Sequence, residues 1–336
     1  MIPGAPHEAR WLRAKPRRSL SAGDLQRILG RALGECRVLN VEPLTDGLRN
    51  ANFKISLDRE PRWIVLRIYE HDASLCRKEV DLFHLIGSCA PVPLVIDAEP
   101  NGWDGFAPFV VMQYVEGISF RDLKRSGDRE AIAQAAIAIG ETLAAIGRIS
   151  FERSGWLAPG PTVTAPLLES ADPTPRFVDL CLESANLQRR MPTDLRDHVS
   201  EIIWSRAAEL AELDLLAHLV HGDFGKRNLL VRCQGGRWCI AAVLDWEYAV
   251  SGSPLIDVGH FLRYERSDQP CVEPHFSQGF ARGGGVLPQE WRSLARLIDM
   301  TALCESLTHD ELPEAVVVEL LELIRATVED RHFTSR

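Results

Sequence analysis

The run His221-Gly222-Asp223-Phe224-Gly225-Lys226-Arg227-Asn228 sets a carboxylate five residues ahead of an amide, and Asp245-Trp246-Glu247 begins seventeen positions beyond Asn228. These are the parts that phosphoryl transfer from a nucleoside triphosphate requires. A carboxylate accepts or orients the proton of the attacking hydroxyl, and hard oxygen ligands hold Mg²⁺ against the phosphates. Asp223 fits the first task; Asn228 and Asp245 fit the second. Taken singly, each is an ordinary turn or strand-end residue. Their order along the chain is what sets them apart.

The segment between them must bring them together. Asn228-Leu-Leu-Val-Arg-Cys, the turn Gln234-Gly-Gly and Arg237-Trp-Cys-Ile-Ala-Ala-Val-Leu-Asp read as a β-hairpin. Its two strands leave from Asn228 and return to Asp245, so both oxygen ligands are expected at one end. A P-loop is excluded, because Gly225-Lys226 is followed by Arg227 and lacks the upstream glycine spacing.

This constellation resembles the aminoglycoside phosphotransferase and choline-kinase-like family, whose members share the protein-kinase fold. His221 to Asn228 is similar to the family's H-G-D-x-x-x-x-N loop, and Asp245 takes the place of the DFG aspartate. His-Gly-Asp-Phe-Gly with Leu-Asp-Trp resembles the hygromycin-type antibiotic kinases more than the choline kinases. The resemblance implies Asp223 as catalytic carboxylate, Asn228 and Asp245 as Mg²⁺ ligands, and His221 as a support beneath the loop. Ser253-Pro-Leu-Ile-Asp257-Val-Gly259 is similar to the family's D-x-[GA] brace, which makes Asp257 structural.

In the amino-terminal half, Val65-Leu66-Arg67-Ile68 resembles the strand that carries the phosphate-gripping cation, with arginine where protein kinases have lysine. A guanidinium still binds phosphate or carboxylate bidentately. Glu79, on the following helix, is then its partner. Asp46-Gly47-Leu48-Arg49-Asn50-Ala51-Asn52 resembles the nucleotide-covering loop, with Gly47 and Asn50 as contacts, and Gln113 and Val115 belong to the hinge whose backbone meets the adenine. The implied cofactors are ATP, with GTP left open, and Mg²⁺.

The implied acceptor is a small-molecule hydroxyl on an aminocyclitol antibiotic, an amino alcohol or a sugar. Antibiotic kinases of the family bind amines through carboxylates of their last helices, where this chain has Glu305, Asp310, Glu311 and Glu314. Glu247, two residues past the metal ligand, is a further acceptor candidate. A nucleotide-binding scaffold without turnover stays open as the alternative, and Arg67 leaves room for it. No Ala-Pro-Glu-ended activation segment follows Asp245, which argues against a protein kinase.

The expected fold is α+β and two-lobed, protein-kinase-like: an arm and leading helix over 1–36, an antiparallel sheet lobe over 37–115, and a larger, mainly helical lobe over 116–336. Strand-like runs at 52–57, 63–69, 94–97 and 109–115 enclose a helix at 75–86, in which Arg77, Lys78 and Asp81 lie mostly off the apolar face. Helical patterns follow at about 120–126, 128–149, 175–190, 194–212, 287–307 and 313–329.

The formal charge of −9 on 336 residues argues against a nucleic-acid partner. Gln134, Glu141 and Arg148 interrupt the most apolar stretch, which therefore reads as a buried helix rather than a membrane span. Eight scattered cysteines without a C-x-x-C pair point to reduced thiols in the cytoplasm. Arg10, Arg13, Lys15, Arg17 and Arg18 lack a following apolar run and read as a solvated arm. Oligomeric state is not encoded in any of these patterns.

Overall fold

The protein was analysed as a computed structural model that describes residues 20–44, 50–70 and 72–330. Helix α1 (Ala22–Leu33) opens on a capping box, in which the Ser21 hydroxyl accepts from the Asp24 N–H and the Asp24 carboxylate accepts from the Ser21 N–H. Strands β1 (Val38–Leu44), β2 (Ala51–Leu57), β3 (Trp63–Ile68), β4 (Val95–Glu99) and β5 (Phe109–Gln113) form an antiparallel sheet of order β1-β2-β3-β5-β4, and helix α2 (Ser74–Ile86) lies between β3 and β4 in sequence.

Side chains alternate across a strand with period two, and here the alternation decides function. Ile64, Leu66 and Ile68 of β3, with Phe109 and Val111 of β5, pack against Leu25, Ile28 and Leu29 of α1. The intervening residues Val65, Arg67, Val110 and Met112 must then face the opposite way, and Val65, Arg67 and Met112 line the cleft beneath the sheet. A guanidinium is thus delivered to the cleft by the register that buries three aliphatic neighbours.

The second lobe begins with β6 (Ile118–Ser119), α3 (Phe120–Ser126) and α4 (Arg129–Ile146), followed by β7 (Gly155–Ala158) and β8 (Thr162–Ala165). Helices α5 (Pro173–Leu182), α6 (Ala185–Arg190), α7 (Thr193–Ser205) and α8 (Ala207–Asp214) come next. Strands β9 (His218–Val220), β10 (Leu229–Gln234), β11 (Arg237–Val243) and β12 (Val250–Gly252) surround the motif residues, and α9 (Leu255–Leu262), α10 (His275–Arg282), α11 (Trp291–Thr308) and α12 (Glu314–Val328) complete the chain. The expected hairpin is β10–β11, with Leu229 opposite Val243.

Two expected helices are each broken in two, at Glu183–Ser184 and at Arg206, where the chain changes direction to keep both halves on one core. Helices α9 and α10 had no sequence counterpart. Each is only eight residues long and sits among prolines and glycines, too short for a 3.6-residue period to register.

Helix α9 crosses α11 at Gly259, where a Cβ would stand 2.3 Å from the Ala295 carbonyl oxygen and 3.1 Å from the Asp299 Cβ. The crossing is fastened one turn on, where Arg263 grips Asp299 with Nε–Oδ2 at 2.8 Å and Nη2–Oδ1 at 2.6 Å. Gly259→Ala is therefore expected to cost about 1–3 kcal/mol by forcing two helices apart, seen as a lower thermal midpoint. Gly30→Ala, in α1 with nothing within 4 Å of its Cβ, should instead be neutral or stabilising by up to about 1 kcal/mol.

Candidate active site

Strand β9 ends at Val220, and the motif turns directly over the start of α9. The Asp257 carboxylate receives the His221 N–H on Oδ2 at 2.7 Å and the Gly222 N–H on Oδ1 at 2.9 Å. Gly222 has φ +80°, and a Cβ there would stand 2.3 Å from the Tyr248 carbonyl oxygen. The middle residue of His-Gly-Asp is thus dictated by both backbone conformation and space.

His221 is fully buried, and burial lowers its pKa to about 4. Its Nε2 lies 2.8 Å from the Leu244 carbonyl, which only accepts, so Nε2 carries the proton and Nδ1 accepts the Asp223 N–H at 3.1 Å. A neutral imidazole therefore ties the loop to the end of the hairpin from beneath.

Asp223 is held from two sides. The Asn228 amide nitrogen donates to Oδ2 and to the Asp223 carbonyl, both at 2.9 Å, while His260 Nε2 lies 3.2 Å from Oδ1. Desolvation, and then the charge of Asp245, push the Asp223 carboxyl up to about 6, opposed by the Asn228 hydrogen bond. A carboxylate with that pKa is suited to taking a proton near neutrality. Because Asn228 gives its NH₂ to Asp223, its amide oxygen is the end left for a hard cation. The Leu244 N–H donates to the Asn228 carbonyl at 2.8 Å, which seats Asp245 beside Asn228. Asp245 itself adopts φ +67°, a left-handed conformation that aspartate tolerates better than most residues.

The sheet lobe grips the same loop. Arg67 Nη2 lies 2.7 Å from Asp245 Oδ1 and 3.5 Å from Glu247 Oε2, and its Nε lies 3.3 Å from Glu79 Oε2. Glu79 is fully buried and accepts from the Tyr69 hydroxyl and, at 3.1 Å, from the Trp246 N–H. Burial drives its carboxyl upward, and the adjacent guanidinium opposes that. Lys78 donates to the Glu247 carbonyl at 3.0 Å, and the Asn50 amide donates to Glu247 Oε2 at 3.1 Å.

These contacts surround one cleft of about 1270 Å³, lined from Asn50, Arg67, Gln113 and Val115 at the sheet end through Asp223, Asn228 and Asp245 to Glu305 and Glu311 on the helical side, with His221, Asp257, Glu79 and Lys78 behind its wall. The two oxygen ligands suit Mg²⁺. That ion takes one or two protein oxygens and completes its shell with water and phosphate, and here a single guanidinium faces the three carboxylates of Glu79, Asp245 and Glu247. Among the described residues, no group of three or more His, Cys, Asp or Glu side chains is gathered as a metal cluster.

The sequence profile of the phosphotransferase enzyme family matches residues 40–297, the greater part of the chain. The chain belongs to that family. Its fold is similar to that of aminoglycoside phosphotransferase APH(4)-Ia, with a TM-score of 0.65 and 18% identity, covering 92% of this chain and 98% of that one. It is also similar to wild-type aminoglycoside 2′-phosphotransferase-IIIa in its GDP complex, with a TM-score of 0.65 and 16% identity over 90% of this chain and 97% of that one. Among curated proteins it is 29% identical over 201 residues to acyl-CoA dehydrogenase family member 11 of Pongo abelii and 27% identical over 203 residues to that of Homo sapiens. Each match takes in 59% of this chain but only 23% of the relative. The architecture is accordingly the two-lobed α+β protein-kinase-like fold.

Several expected site residues of this phosphotransferase sit elsewhere than the sequence indicated. Glu247 is buried, its carboxylate committed to Asn50 and Arg67 of the sheet lobe rather than to the helices that carry Glu305. Asp310 is not among the residues lining the cleft, because Asn186 of α6 draws its Oδ1 aside at 2.8 Å. Gly47 lies outside the described residues. Lys78, mostly off the apolar face of its helix, is nevertheless buried. His260 and Glu319 also line the cleft and carried no sequence signal beyond their type.

Breaking a buried ion pair by removing one partner typically costs about 3–5 kcal/mol. Glu79→Ala, which takes one of three carboxylates from Arg67 and leaves the Trp246 N–H and the Tyr69 hydroxyl without their acceptor, is expected toward the lower end of that range by urea unfolding. Glu79→Gln retains an acceptor for Trp246 and should cost less.

Proposed function

We propose that this chain transfers the γ-phosphoryl group of ATP, as its Mg²⁺ complex, to a hydroxyl of a small molecule. The observation that supports the reading is the convergence of Asp223, Asn228 and Asp245 on one cleft, into which the sheet lobe brings Arg67 against Asp245. Asp223 accepts the hydroxyl proton, held in orientation by Asn228 and by a loop that His221 and Asp257 fix from below. Asn228 and Asp245 hold Mg²⁺, which when bound offsets the charge of the phosphates. Arg67 is released toward phosphate from carboxylates that it now neutralises. The hinge backbone at Gln113 and Val115 receives the base. Solved relatives of this fold carry AMP-PNP or GDP, so both ATP and GTP belong in the first binding assay. Eight free cysteines fit a reducing compartment such as the cytoplasm.

The acceptor end mixes charges. Glu305 pairs with His309 at 2.8 Å, Glu319 accepts from the Tyr264 hydroxyl at 2.6 Å, and Arg227 and Arg263 border the same space beside apolar Val316 and Leu320. Three carboxylates on that side, at Glu305, Glu311 and Glu319, favour an acceptor with amino groups. Hygromycin B and kanamycin are bound in solved relatives and lead the acceptor panel, with amino alcohols and sugars.

Mg²⁺·ATP should raise the thermal midpoint of the wild type, by an energy of about 2.7 kcal/mol at a hundredfold excess over Kd, and Asp245→Ala should abolish the shift. No shift with either nucleotide at millimolar concentration would sink the reading and favour a scaffold without turnover. With an acceptor in hand, Asp223→Asn should lower kcat by about 10²–10⁴-fold. Because only the ionised carboxylate takes the proton, wild-type kcat/KM should rise with pH through about 6.

A further inference from the structure

The irregular stretch from Leu244 to Ala249 carries the metal-binding aspartate, and its backbone polar groups need partners that no regular ladder supplies. Two adjacent residues of α2 provide them. Glu79 Oε1 takes the Trp246 N–H at 3.1 Å, and Lys78 Nζ donates to the Glu247 carbonyl at 3.0 Å. Both ends of the Trp246–Glu247 unit are therefore held by one helix of the other lobe.

We propose that Lys78 is a positioning residue for phosphoryl transfer: by holding the Glu247 carbonyl from α2 it fixes where Asp245 presents its carboxylate to the metal. This rests on the reading of Asp245 as a metal ligand. Burial explains why a purely structural origin is a poor account of the contact. Lys78 is 7% exposed, and desolvation lowers its pKa to about 8, with Glu79 and Glu247 acting in the opposite sense. Placing an ammonium there costs solvation that methionine, of similar length, avoids, and well-packed apolar replacements of buried charges are often neutral or stabilising. What methionine does not supply is a donor to the Glu247 carbonyl. The side chain also reaches the loop without occupying the cleft, since Lys78 is absent from its lining while Glu247 and Asp245 belong to it. It acts through the loop and not on substrate.

The test compares wild type with Lys78→Met, Lys78→Ala and Lys78→Arg in the full chain. Two quantities are read: hydrogen exchange of the peptide spanning Asp245 to Glu247 without ligand, and the Mg²⁺ concentration for half of the ATP-induced thermal shift. Outer-shell partners of metal ligands typically contribute about 10–100-fold in metal affinity. Both loss-of-donor variants should exchange faster in the loop and need Mg²⁺ raised by a factor in that range, with Lys78→Arg restoring much of both. Unchanged loop exchange overturns the proposal, and so does a loosened loop with an unmoved Mg²⁺ requirement, which leaves Lys78 a structural tie only. Failure of the wild type to respond to Mg²⁺·ATP instead strikes at the functional reading, while the exchange comparison still decides whether Lys78 holds the loop.

Discussion

One carboxylate, that of Asp257, takes two consecutive backbone N–H groups at the start of the catalytic loop, and the rest of the site hangs from that arrangement. Two parallel donors on one carboxylate fix the orientation of the peptide plane between His221 and Gly222. Gly222 is then forced into its left-handed turn under the Tyr248 carbonyl, and His221 is directed to the Leu244 carbonyl. The consequence reaches both motif partners. Asp223 leaves the turn toward the cleft, and the end of the hairpin, where Asn228 and Asp245 meet, is tied to the same imidazole. Burial raises the Asp257 carboxyl to about 7 while the two N–H donors oppose the shift.

The second dependence runs between the lobes and is electrostatic. Glu79, Asp245 and Glu247 crowd around Arg67, a deficit of positive charge in a low-dielectric site where like charges are expensive. The Asp223 carboxyl, raised first by burial and then by the charge of Asp245, feels the same negative charge. Lys78 and Glu79 of α2 and Arg67 of β3 together hold the Asp245–Glu247 segment against the sheet lobe.

How much of this was legible follows from the range of each interaction. The hairpin and its end-to-end meeting of Asn228 and Asp245 were readable because turn residues and alternation are local. The aspartate, amide and aspartate were readable as a set because the chemistry fixes their types. Arg67 was legible through the resemblance of Val65-Leu66-Arg67-Ile68 to the cation-bearing strand, and the sheet supplies the reason for its direction, opposite Ile64, Leu66 and Ile68. Lys78 was not. On a helical wheel a lysine off the apolar face means solvent, and only the arrival of a loop nearly 170 residues later, at Glu247, turns that face into an interior. Helices α9 and α10 were missed for the related reason that their stability is tertiary: Gly259 weakens α9 locally, yet it is what lets α9 meet α11.

The acceptor end shows where sequence reasoning stops. Glu305 and Asp310 were equivalent as letters, five positions apart near the end of one helix. The structure separates them through Asn186, which takes Asp310, and Arg190, which donates to the carbonyls of Leu307 and His309 at 2.6 Å each and of Asp310 at 3.0 Å. These contacts fix the α11–α12 connection so that His309 and Glu311 border the cleft while Asp310 does not. Glu319, from the far side of that connection, comes into the lining instead, steadied by Tyr264. Catalytic residues are fixed by what the reaction must do, and a short motif carries them. The side chains that reach the far end of the cleft are set by how α11 and α12 are pinned at their junction, and residues of a third helix, α6, more than a hundred positions away in sequence, make those contacts.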